Sequence, residues 1–324
     1  MGSTIQKMSK PAAPSKKIII SASRRTDIPA FYMDWFMQGI DDGYFEVTNP
    51  FNHRVSTVMA TPEHVHTIVF WSKDFRPFLD GGYGETLRQM GYHLFFNFTV
   101  NSESPWLEPH IPPFTDRLET LKALADRFGP ETISWRFDPI CFFRPPGGPD
   151  TDNLSDFQAI AKVMGDSGIT RCITSFMDHY PKIQKRLAAL PGFAFHDPPL
   201  EEKVRVLEWL VQVLKPHDIN LYTCCEKEVM ADLSADSGIQ PSQCIPGRLL
   251  ADLFGGDISL RKDAGQRVKQ GCGCTVSSDI GSYHRQPCRH NCLFCYANPS
   301  STVSRPIKNT RISCKSALSS SPIR

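Results

Sequence analysis

Between Lys17 and about Phe254, short apolar runs alternate with segments of helical period. That is the pattern of repeated βα units around a mostly parallel sheet. Lys17–Ser23, rich in isoleucine, predicts the first strand; Asp27, with Pro29 in the first turn, predicts a capped helix reaching about Asp41. Tyr44–Pro50 and Val55–Ala60 read as two short strands, either a hairpin or a barrel strand with an excursion. Thr67–Ser72, His93–Asn101, Thr132–Cys141, Ile169–Met177 and Ile219–Glu226 predict further strands. Phe114–Phe128, Leu154–Met164 and Leu200–Leu214 predict helices. In the first of these Leu118, Leu121, Leu124 and Ala125 share a face, and Gly129-Pro130 ends it. Arg144–Asp150 is turn-rich, and Gly81–Glu85 lies too far past its strand for a cofactor fingerprint, so it reads as a turn. After Gly255 the regular pattern stops and no internal repeat is seen.

About six such units in roughly 240 residues fit a complete or partial TIM-like (βα) barrel, with a doubly wound open sheet as the alternative. The expected organisation is a polar tail over 1–16, an α/β barrel domain over 17–260, a cysteine-rich cluster segment over 261–298 packed on the barrel mouth, and a second tail over 299–324. Both tails are basic and too polar to pack. In either fold, ligands sit at the C-terminal ends of the strands.

Composition narrows the class only a little. The chain has 324 residues, 40% of them hydrophobic and 22% charged, enough to bury a sizeable core. A formal net charge of +2 gives no strong nucleic-acid signal and no pull toward an acidic membrane. No apolar run is long enough to span a bilayer and the N-terminus lacks a secretory core, so a cytoplasmic location is expected. In that reducing setting eleven cysteines point to metal or redox chemistry rather than disulfides.

Strand period two places Asn97, Thr99 and Asn101 opposite Phe96, Phe98 and Val100, and Arg136 and Asp138 opposite Trp135 and Phe137. Tyr222, Cys224 and Glu226 are expected to share one face in the same way. Such polar groups either satisfy one another or meet a ligand, and Arg136–Asp138 could be a structural ion pair. Arg24 and Arg25 precede a predicted helix start and would suit a carboxylate or phosphate; the alternative is a helix cap with two solvated arginines. Arg24, Arg25, Asn97, Arg136, Asp138 and Glu226 are therefore candidate substrate or cofactor contacts.

The richest signal is Cys288-x-x-x-Cys292-x-x-Cys295, with Phe294 before the last cysteine. Three thiolates can hold three corners of an iron–sulfur cube and leave the fourth iron open for chemistry. Thiolates also select zinc, but a four-cysteine zinc site usually pairs two C-x-x-C knuckles, and only Cys292 and Cys295 form one. Cys224, Cys244, Cys272 and Cys274 are candidates for a second metal site, a further cluster or zinc; their other reading is as buried small hydrophobes. Cys141, Cys172 and Cys314 have no cysteine neighbours and are not expected to be ligands.

The run C-x-x-x-C-x-aromatic-C resembles the cluster motif of the radical S-adenosylmethionine superfamily. The resemblance implies a [4Fe-4S] cluster on Cys288, Cys292 and Cys295, with Phe294 near the adenine of S-adenosyl-L-methionine. It also implies a reductase as electron donor and a 5′-deoxyadenosyl radical that abstracts hydrogen from a small-molecule or macromolecular substrate. More widely, Ser21–Asp27, Asn49–Asn52, Trp135–Pro139, Ser278–Tyr283 and Cys295–Asn298 resemble a mainly bacterial domain-of-unknown-function family whose C-terminus bears this motif. One departure stands out. The superfamily carries its cysteines after the first strand, whereas here they follow the last, so residues 265–298 are expected to fold back toward Arg24 and Arg25. The rival classes are an iron–sulfur electron-transfer or redox-sensing protein, and a zinc-stabilised binding module without catalysis.

Overall fold

A computed structural model describes residues 16–50 and 52–298. The two polar tails, apart from Lys16, lie outside the described residues, as do Phe51 and Cys314. Among the described residues, eight strands form one sheet: β1 (Ile18–Ala22), β2 (Val65–Ser72), β3 (His93–Thr99), β4 (Ile133–Ile140), β5 (Arg171–Phe176), β6 (Asn220–Thr223), β7 (Gln240–Pro241) and β8 (Ser278–Asp279). Every neighbouring pair is parallel. The spatial order is β7-β6-β5-β4-β3-β2-β1-β8, so strands follow one another along the chain and the last returns to lie beside the first.

β7 and β8 do not pair, and the sheet stays open there. The complete barrel expected as one possibility is not formed. Both seam strands are two residues long, and Pro241 has no N–H, so neither offers the ladder that closure needs. The doubly wound alternative does not hold either, because the strand order never reverses about a central strand.

Alternation along the strands sorts the residues as the period predicts. Ile20, Ile68, Phe70, Phe96, Phe98, Trp135 and Phe137 enter one large apolar cluster with Phe36, Leu121, Leu124, Ile160 and Leu207 of the helices. This outer face is covered by helices Met33–Asp42, Phe114–Phe128, Phe157–Asp166 and Leu200–Leu214. Each buried aromatic or aliphatic side chain contributes about 1.5–3 kcal/mol. Ile19, Val69, Phe95 and Ile173 point the other way. They pack with Cys244, Ile245, Leu250, Ile258, Cys272 and Cys274, which come from the chain after β7.

Local expectations differ in detail. The helix after Asp27 is split into Ile28–Phe31 and Met33–Asp42 at Tyr32, whose φ of −138 is not helical. Tyr44–Thr48 and Val55–Met59 form an antiparallel hairpin outside the main sheet. The predicted strand Ile219–Glu226 ends at Thr223, and Cys225 has φ 65, so Cys224 and Glu226 do not continue a strand face with Tyr222. Regular structure also resumes after Gly255, since β8 adds to β1 through Ile20–Ser278 and Ser21–Asp279.

Candidate functional site

The turn after β1 is built around two carboxylates, the half-buried Asp279 and the buried Asp27. Asp279 of β8 accepts from Ser21 Oγ at 3.0 Å, Ser23 Oγ at 2.8 Å and the Arg24 N–H at 2.7 Å. Asp27 caps the following helix through the Ala30 N–H at 3.0 Å and accepts from Ser72 Oγ at 2.7 Å and the Lys73 N–H at 2.9 Å. His290, three per cent exposed, reaches the same carboxylate at 2.8 Å. A buried carboxylate with this many donors is satisfied without solvent.

His290 belongs to the cysteine run, and its bond to Asp27 is one of several that fasten the run to the ends of the first strands. Tyr32 Oη donates to the Pro287 carbonyl at 2.6 Å, and Tyr296 Oη to the Arg24 carbonyl at 2.9 Å. The Leu293 N–H donates to the Leu107 carbonyl at 2.8 Å. Arg186, almost wholly buried, donates to the Cys292 carbonyl at 3.0 Å and also to the Cys295 carbonyl. Arg24 follows β1, Lys73 follows β2 and Leu107 follows β3, so the run lies over the C-terminal ends of these strands. Its return toward the Arg24–Arg25 turn is therefore a feature of the structure.

The three thiols have distinct surroundings. Cys292 is buried, with Sγ 3.8 Å from Glu108 Oε1; Glu108 in turn pairs with Lys73 at 2.5 Å. Lys73 Nζ sits 5.4 Å from the centre of the Phe294 ring. Cys295 Sγ accepts the Ala297 N–H at 3.4 Å. Burial pushes the Cys288 thiol up to about 12 and also raises Cys292, with negative charge on neighbouring groups acting in the same direction and Lys73 opposing it at Cys292. Buried thiols of this kind lose their protons when a cation is bound among them. Among the described residues, no set of three or more His, Cys, Asp or Glu side chains is arranged to hold a metal ion directly.

The other expected contacts are largely bound to their own chain. Arg25 donates to the Gly281 carbonyl at 3.0 Å and lies 3.8 Å from Asp279. Asn97 holds the Cys244 carbonyl at 3.0 Å. Arg136 and Asp138 pair with each other, and Asp138 also accepts from Ser175 Oγ. Glu226 accepts the Phe176 N–H at 2.8 Å, and burial raises its carboxyl to about 7. Arg24 donates to Ser277 Oγ at 3.2 Å, while its Nη2 is buried without a hydrogen-bond partner.

Cys224, Cys244, Cys272 and Cys274 come together on the inner face of the sheet, with Cys225 among them. Cys225 was not expected there; its adjacency to Cys224 was the available signal. Cys172 sits in the helix-covered core, and Cys141 packs in an apolar cluster with Cys292, Leu293 and Phe294. Asp27, read from the sequence as a helix cap and found as one, also belongs to the site, as do Lys73, Glu108, Arg186 and His290, none of the five having been expected as a contact. His290 carried a signal in its position inside the cysteine run; Lys73, Glu108 and Arg186 carried none.

The strands, their end turns and the cysteine run all fall within a match to the family described as Domain of unknown function (DUF1848), over residues 19–297. The chain belongs to the DUF1848 family. No curated protein matches this DUF1848 chain. Among solved structures it is similar to the dihydropyrimidinase of Brevibacillus agri, at 13% identity and a TM-score of 0.28. That match covers 52% of the DUF1848 chain and 36% of the dihydropyrimidinase chain, too slight to extend to fold or chemistry. Among the described residues, no helix is long and apolar enough to cross a membrane.

Proposed function

We propose that this DUF1848 protein is an iron–sulfur enzyme of the radical S-adenosylmethionine type, built on an incomplete TIM-like barrel. The observation that carries the reading is the position of Cys288, Cys292 and Cys295 over the C-terminal ends of β1, β2 and β3, the edge where parallel α/β sheets receive ligands. The sequential strand order, with the last strand beside the first, supports the barrel ancestry. The donor set suits a [4Fe-4S] cluster: three thiols on one short loop and an N–H aimed at one sulfur. When bound, such a cluster supplies the electron that reductively splits S-adenosylmethionine into methionine and a 5′-deoxyadenosyl radical, which then takes hydrogen from a substrate.

The chain's own residues do the positioning. Arg186 and Asn298 Nδ2 bond the Cys292 carbonyl, each at 3.0 Å, and fix the loop's turn. His290 and Asp27 pin the loop to the first strand's end at 2.8 Å. Lys73 offsets the charge of Glu108 beside Cys292, so thiolate formation there does not meet an unbalanced carboxylate. Phe294, buried in the apolar cluster beneath the loop with Lys73 over its ring, anchors the loop beside the turn after β2.

The test is anaerobic reconstitution with iron and sulfide, reduction, and assay for 5′-deoxyadenosine. Added S-adenosylmethionine should shift the electron paramagnetic resonance of the reduced cluster, and a C288S/C292S/C295S variant should lose both that shift and the product. A wild-type cluster whose spectrum ignores S-adenosylmethionine and yields no 5′-deoxyadenosine would leave an electron-transfer or redox-sensing role in its place.

A further inference from the structure

The thiols on the inner face of the sheet take no part in the reading above, and three of them touch. Cys224 Sγ lies 3.6 Å from Cys244 Sγ and 3.7 Å from Cys225 Sγ. These are van der Waals contacts, with no ion or water between the sulfurs. Cys224 follows β6 and Cys244 follows β7, two strands that run side by side. Tyr222 pairs with Gln240 and Thr223 with Pro241, and the Ser242 N–H still reaches the Thr223 carbonyl at 2.7 Å. Adjacent chains of a sheet lie about 4.7–4.9 Å apart, within the Cα separation of about 4.4–6.8 Å that a disulfide spans. Cys225 is the poorer partner for Cys224. A trans peptide bond holds their Cα atoms about 3.8 Å apart, short of that range.

The surroundings suit sulfur chemistry. Arg136, itself buried, donates from Nη1 to Cys244 Sγ at 2.7 Å, which favours the thiolate, the form that attacks. Cys224 and Arg136 lower the Cys244 pKa, but Cys274 and burial outweigh them, so the resting form at neutral pH is the thiol. Cys224 is half-buried, whereas Cys244 is 4% exposed, so a small oxidant meets Cys224 first.

We propose that Cys224 and Cys244 form a reversible disulfide that ties the end of β6 to the edge strand β7. With a peroxide as oxidant, the Cys224 sulfur attacks the O–O bond, loses its proton and becomes a sulfenic acid, releasing water. The Cys244 thiolate then attacks the Cys224 sulfur and displaces hydroxide, which leaves as a second water. In balance, two thiols give up two electrons and two protons, and one hydrogen peroxide becomes two waters. Two equivalents of a small thiol reverse the bond by exchange and leave as one small disulfide. The modification reaches the polar face of the neighbouring strands. The Cys244 carbonyl accepts from Asn97 of β3 at 3.0 Å, and its sulfur accepts from Arg136 of β4, which also pairs with Asp138. A sulfur bound in a disulfide has no thiolate form, so oxidation leaves Arg136 to Asp138 alone.

This inference does not rest on the cluster proposed above. Its test uses the full chain, reduced, stripped of iron with a chelator, given one equivalent of hydrogen peroxide and then alkylated. Trypsin cuts at Lys227 and Arg248, so Cys224 and Cys244 fall on different peptides, with Cys272 and Cys274 together on a third. The expected product is the first two peptides cross-linked, lighter than their sum by two hydrogen atoms and separated again by dithiothreitol. The link should persist in Cys225→Ser and vanish in Cys224→Ser and in Cys244→Ser. Oxidised wild type should also unfold at higher denaturant than reduced wild type, a difference absent from Cys244→Ser. Free alkylation of both cysteines after peroxide, sulfinic acid at either without a link, or a link to the third peptide instead would overturn the proposal. Should a serine variant fail to fold, fragmentation of the wild-type cross-linked pair, which assigns the bond to Cys224 or to Cys225, decides alone.

Discussion

The two faces of the sheet are assembled by different means. The outer face is a continuous apolar cluster in which Phe70, Phe96, Phe98, Trp135 and Phe137 meet helices of ordinary amphipathic pattern. The inner face has a small apolar cluster, and around it lie buried Asn97, Ser134 and Arg136, five cysteines, and an irregular covering chain. One face is held by area removed from water. The other depends on polar groups meeting their partners, so it gains little from packing alone. Only the second brings thiols and charged side chains together.

That contrast can be broken in three ways. The largest effect belongs to the outer face. Trp135 is fully buried and its indole N–H donates to the Val100 carbonyl at 2.9 Å, so Trp135→Ala should cost about 3–5 kcal/mol in denaturant unfolding. The same loss is expected in iron-loaded and iron-stripped protein; a cost that changes with iron would show that the two faces are not separable. On the inner face, Arg136→Leu strips Asp138 of its buried cation and Cys244 of its donor, at a cost of about 3 kcal/mol. Adding Asp138→Asn should recover part of that loss, because the carboxylate left without its cation is its source. No recovery would place the cost elsewhere than in the Asp138 pair.

The smallest effect is at the foot of the inner face, where His93 stacks on Phe254 at 4.6 Å and His66 bonds the Gly255 carbonyl at 2.7 Å. Burial against this helix end lowers the His93 pKa, with the charges of His66 and Lys17 acting in the same direction. A histidine held below its unfolded value of about 6.5 leaves stability intact above that pH. Stability then declines on acidification, because the unfolded chain takes up the proton first, and levels off once folded His93 is protonated too. His93 keeps contact with water, so the slope is shallow. His93→Gln should flatten it, and a melting series from pH 8 to pH 5 that is identical in wild type and variant would remove the assignment.

Much of the frame was legible beforehand. Ile18–Ala22, Val65–Ser72, His93–Thr99 and Ile133–Ile140 appear close to where apolar runs predicted strands, because a buried parallel strand must be apolar nearly throughout. The side-chain sorting of Phe96 against Asn97 and Trp135 against Arg136 followed from period two. Less legible was whatever depended on a distant partner. Arg25 looked available to a ligand until Asp279 and Gly281 took it up, and Asn97 until it met Cys244. Lys73 and Glu108 are unremarkable in their own segments and become a buried ion pair only beside Cys292.

The order of residues alone determined the repeated strand–helix frame, the polar stripe on alternate strand positions, and a short thiol-rich loop. These are local matters, set by side-chain period and by spacings of a few residues. Tertiary structure alone decided that the last strand pairs with the first, that the sheet stays open beside it, and that the cysteine loop lands on the first three strand ends. It also brought Cys225 and its four companions together beside the buried Arg136 guanidinium. Such meetings join residues far apart along the chain, and a buried charge selects its partner only once folding has excluded water from both.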